Sequence, residues 1–99
     1  MGRTITEMLK EYVQLVWNMF DMRDSGIFGI YGLEQHRIRL HDSICQALAI
    51  DRVKSKDILS SLDTTIGLDL SISPSDQDLQ MYAERLYSVL RIEKGKGNI

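Results

Sequence analysis

Between Ile5 and Met22 the apolar residues Ile5, Met8, Leu9, Tyr12, Val13, Leu15, Val16, Met19, Phe20 and Met22 recur three and four positions apart. At 100° per residue they occupy about half the circumference of a helix, while Glu7, Lys10, Glu11, Gln14, Asn18 and Asp21 form the polar arc and Trp17 sits at its edge. Thr4 to Glu7 has the form of a capping box, so this helix should start there. One neighbouring helix needs an apolar stripe of only about 100°, so the wider stripe predicts burial against two surfaces. The second surface belongs either to the same chain or to a second copy. Gly26, Gly29 and Gly32 punctuate IFGIYG and disfavour helix, which places the expected end near Arg23 to Ser25.

A second helix is expected from Leu33 to Ala49, with Leu33, Leu40, Ile44, Ala47 and Leu48 as its buried stripe. A short third helix follows, capped by Asp51 or starting at Ser55, with Ile58, Leu59 and Leu62 on one edge. From Thr65 to Ile72 the period changes to two, as Ile66, Leu68, Leu70 and Ile72 alternate with polar residues or glycine. That spacing fits an extended linker pinning alternate side chains, or a short strand in need of a pairing partner; the linker ranks first. Ser73-Pro74-Ser75-Asp76 then predicts a last helix, with Ser73 as N-cap and Pro74 as first helical residue, running to about Ile92. Leu79, Tyr82, Ala83, Leu86, Val89 and Leu90 make its inner face.

The expected fold is therefore all-α, a small bundle of three long helices plus one short helix, with an extended segment near 65–72. Residues 1–93 read as a single helical domain and 94–99, with two glycines, as a flexible tail. At 99 residues the chain can bury roughly 65% of its unfolded surface, enough for a core that would still profit from a partner subunit.

Twelve basic and fourteen acidic residues give a net charge of -2, which disfavours a nucleic-acid or anionic-membrane surface driven by bulk charge. A single cysteine forms no intrachain disulfide and suits a reducing cytoplasm. No apolar run approaches a membrane span, and the opening MGRTITEMLKEY lacks a signal-peptide core.

Candidate chemistry concentrates in LEQHRIRLHDSIC, residues 33–45. Glu34, Arg37, His41 and Cys45 fall on one helical ridge. A His and a Cys four apart can share a metal, but a structural zinc needs four ligands, and no further pair supplies them. His41 beside Cys45 also has the form of a nucleophilic pair oriented by Glu34, though adjacent turns of one helix seldom furnish a pocket and oxyanion donors. A packed cysteine beside a surface histidine ranks ahead of both, so no catalytic residue, cofactor or metal is assigned. Arg37 lies within the apolar stripe, where it must either be paired or snorkel.

The favoured function is a non-enzymatic helical protein–protein interaction or regulatory module, expected as a homodimer, with Tyr12, Val16, Trp17, Phe20 and Arg37 as candidate interface residues. Nucleic acid ranks behind protein as a partner, and no membrane role is expected. The alternative is a DNA-binding regulator. Residues 43–59, SICQALAIDRVKSKDIL, loosely resemble a helix-turn-helix, with Arg52, Lys54 and Lys56 on the second helix. They depart from it at Ala49, where glycine is usual, at Ser55, where an apolar residue is expected, and through Asp51 and Asp57.

Overall fold

The computed structural model describes residues 4–22 and 27–97, with side chains described except at 27–30, 54 and 93–97. Five helices follow one another among them: α1 (Ile5–Asp21), α2 (Ile27–Leu48), α3 (Arg52–Ser60), α4 (Leu62–Thr65) and α5 (Asp76–Gly97). The fold is all-α, with no strand among the described residues.

Thr4 caps α1, its hydroxyl accepting from the Glu7 amide at 3.1 Å. The broad apolar face of α1 meets two neighbours, as its width requires, and both belong to the same chain: α2 lies on one flank and α5 on the other. Leu9, Tyr12 and Val13 are fully covered between them. Stripe width alone therefore implies no second copy.

Two helix starts differ from those expected. α2 begins at Ile27 rather than Leu33, so Gly29 and Gly32 lie inside it while Gly26 falls outside the described residues. An interior glycine costs only about 1 kcal/mol relative to alanine, less than a helix packed along α1 recovers. α5 is capped by Ser75 and not Ser73. The Ser75 hydroxyl accepts from the Asp78 amide at 3.1 Å, and the Asp78 carboxylate accepts from the Ser75 amide at 3.0 Å. This reciprocal pair satisfies two otherwise orphaned donors, which the Ser73 register does not, and leaves Pro74 just outside the helix. At its other end the α5 backbone stays helical to Gly97, beyond the expected limit near Ile92, because an established helix needs only to propagate.

α2 ends in a Schellman motif: the Ile50 amide donates to the Cys45 carbonyl at 3.0 Å and the Ala49 amide to the Gln46 carbonyl at 3.3 Å. The motif places Ala49 at φ 55°, a left-handed conformation rare for a residue with a Cβ. Asp51 then caps α3, its carboxylate accepting from the Val53 amide at 2.7 Å.

After α4 the chain runs without regular structure to α5. Ile66 and Leu68 are buried and Leu70 partly so, whereas Ile72 faces solvent at 60% exposure. This is the pinned linker, with its first residue, Thr65, taken up by α4. Gly67 adopts φ 73°, which glycine tolerates, and Arg85 of α5 donates to the Ile66 carbonyl at 3.1 Å. One core results, joining Leu9 and Val13 of α1, Leu40 and Ile44 of α2, Leu59 of α3, and Leu86 and Leu90 of α5.

Candidate functional site at the α2–α3 corner

The ridge Glu34, Arg37, His41, Cys45 exists on α2, but its members serve two separate networks. Glu34 and Arg37, one turn apart, form a bidentate ion pair. Arg37 also donates to the Tyr12 hydroxyl of α1 at 3.1 Å, and that hydroxyl donates to the Leu59 carbonyl of α3 at 3.0 Å. Arg37 is thus paired rather than simply snorkelled, and the chain of contacts ties three helices together. Hydrogen bonding to Arg37 holds the Glu34 carboxyl below its ordinary range, while burial pushes the Tyr12 phenol up.

His41 and Cys45 converge instead on Ser55 of α3, which is 0% exposed. The Ser55 Oγ lies 3.0 Å from His41 Nε2, 3.1 Å from Cys45 Sγ and 3.1 Å from the Arg52 carbonyl. A hydroxyl has one proton and two lone pairs, and a carbonyl can only accept. With the Ser55 proton on the Arg52 carbonyl, all three contacts are satisfied together when the imidazole N–H and the thiol S–H donate to Ser55 Oγ. That order is the reverse of what a base-activated serine needs, since a general base must accept the nucleophile's proton. Burial lowers the His41 pKa and raises that of the Cys45 thiol, favouring the neutral forms of both. The cluster is a buried polar staple between α2 and α3. Among the described residues no three His, Cys, Asp or Glu side chains are grouped to hold a metal ion.

Beside this staple a cleft of about 440 Å³ opens between α2 and α3. Its walls include Arg37, Ile38 and His41 from α2 and Arg52, Val53 and Lys56 from α3. Arg52 pairs with Asp42 at 2.9 Å, a solvent-exposed contact of about 1 kcal/mol at most.

No protein-family model, curated protein or solved structure matches the chain.

The candidate interface set disperses. Tyr12 is wholly enclosed by its own chain, which gives it an internal role, whereas Arg37 is engaged with Glu34 and Tyr12 and still lines the cleft between α2 and α3. Val16 packs partly on the core, Trp17 is half-buried with its indole N–H unbonded among the described residues, and Phe20 remains 36% exposed. Three contributors were not legible as such in the sequence. Ser55 was visible only as a polar residue at a position expected to be apolar, and Ile38 with Val53 gave no periodic signal. No helix among the described residues is long and apolar enough to cross a membrane.

Proposed function

We propose that the chain is a non-enzymatic helical interaction module of the reducing cytoplasm that binds another protein, a second copy of itself foremost, through the distal end of α1. The carrying observation is the gradient along that helix. Leu9, Tyr12 and Val13 are fully enclosed, Val16 and Trp17 are half-covered, and Phe20 is 36% exposed, so burial of the apolar stripe falls off toward this end of the helix. A lone, buried, unpaired thiol at Cys45 suits a reducing compartment.

Sedimentation equilibrium up to tens of micromolar, an order-of-magnitude range for moderate affinities, tests the self-association. A dimer that dissociates on dilution and is lost in Phe20→Glu is expected. A monomer throughout would overturn the homodimer.

The α2–α3 hairpin favours a second reading, a DNA-binding helix-turn-helix-like regulator using residues 43–59. Its support is the tight turn with left-handed Ala49, the Asp51 cap, and Arg52 and Lys56 exposed on α3. Asp42, Asp51 and Asp57 dilute that surface. Fluorescence anisotropy with a random-sequence duplex at low ionic strength decides it: binding that weakens steeply with added salt favours this reading, and absence of binding eliminates it.

A further inference from the structure

We infer that the cleft between α2 and α3 is a docking site for a protein segment presenting an aliphatic side chain next to one or two carboxylates. This surface is separate from the distal end of α1, so failure at either leaves the other standing. The volume, about 440 Å³, falls in the range of small-ligand pockets and suits a few side chains rather than a whole helix. Two branched aliphatics supply its apolar walls, half-buried Ile38 on α2 and Val53 on α3, the latter 78% exposed.

Charge complementarity identifies the rest of the occupant. Arg37, Arg52 and Lys56 line the cleft and, among the described residues, no carboxylate does. The two arginines are already balanced, Arg37 by Glu34 and Arg52 by Asp42. Lys56 is exposed and its ammonium has no ion-pair partner among the described residues. An ammonium so placed matches one or two carboxylates. A duplex, with its continuous row of phosphates, requires several cations.

The α2 wall is also fixed in advance. Arg37 is held by Glu34 and Tyr12, while the contact of His41 with Ser55 sets the separation of the helices. A pre-organised cleft loses little freedom on binding.

The test uses the full, isotopically labelled chain and a pool of short capped peptides, each with a mixed aliphatic position followed by mixed Asp/Glu positions. Expected are amide chemical-shift changes concentrated at Ile38, His41, Val53 and Lys56, with a dissociation constant on the order of 100 µM. Replacing the acidic positions by Asn/Gln weakens binding about tenfold, and so does Lys56→Glu, whose exposed site leaves the rest of the spectrum unchanged. Val53→Ala weakens it by a smaller factor. Scattered or absent shifts, equal affinity for the amide pool, indifference to Lys56→Glu, or tighter binding of a random-sequence duplex at the same salt would each overturn the assignment.

Discussion

The α1–α5 layer and the α2–α3 corner are both buried, yet they are held by different forces. Between α1 and α5, Leu9, Val13, Leu86 and Leu90 belong to one buried cluster, an association that is apolar and indifferent to direction. At the corner, Ser55, His41, Cys45 and the Arg52 carbonyl are joined by directional contacts near 3 Å. The apolar layer supplies the larger share of stability, since each enclosed aliphatic side chain contributes roughly 1.5–3 kcal/mol on burial. The corner contributes less net energy but specifies one angle and one register, because any slip leaves a buried donor or acceptor unmatched.

Truncation in the apolar layer should produce the largest loss. Leu86→Ala, at a fully enclosed position, is expected to cost about 3 kcal/mol in urea unfolding through lost transfer energy and a cavity. At the corner, Ser55→Ala removes few atoms but strands the imidazole N–H, and about 2 kcal/mol is expected. If Ser55→Ala proves neutral, the staple is dispensable and the contrast between the regions disappears. Gly32→Ala probes α2 away from both regions. No atom lies within 4 Å of an added Cβ there, so this change should stabilise the chain by about 0.5–1 kcal/mol, visible as a raised Tm; destabilisation would contradict the extension of α2 across the glycines.

The smallest effect is expected from pH. Burial, reinforced by Arg52 and Arg37, lowers the His41 pKa below its ordinary 6.5, with Asp42 opposing. Above 6.5 the imidazole is neutral in both states and the full stability is present. As pH falls below 6.5 the unfolded chain binds a proton that the folded chain still refuses, so stability declines until the folded pKa is passed. Glu34, whose carboxyl is held below 4.5, adds its own loss only at more acidic pH. Urea midpoints between about pH 7.5 and about pH 5.5 should therefore fall for the wild type and flatten in His41→Gln. Parallel slopes in the two proteins would assign the decline to other groups.

The same contrast explains what was legible in the sequence. The apolar layer was readable because helical burial imposes a period: Leu9 and Val13, or Leu86 and Leu90, declare themselves by spacing. The linker was readable for the same reason, at period two. The corner was not, because its partners lie 14 and 10 residues apart on different helices and no local rule links them. The ridge spacing correctly grouped Glu34, Arg37, His41 and Cys45 on one helix, but spacing says nothing of which neighbour each side chain meets. Tyr12 shows the same limit: its place on the apolar stripe was plain, while the hydroxyl that receives Arg37 and engages α3 was not. The start of α2 was misplaced because a glycine's local preference is weak against the packing of a long helix, and the cap of α5 because Ser73 and Ser75 satisfy the same composition rule and only paired hydrogen bonds separate them.

The passage from α4 to α5 is more than a connector, because it inserts Ile66 and Leu68 into the interior and is fastened by Arg85. Foreign sequence spliced in before Leu70 would pull those anchors out of place. The tolerant site for an inserted tag or reporter lies just beyond, at Ser71 to Ser73, where the chain already faces water.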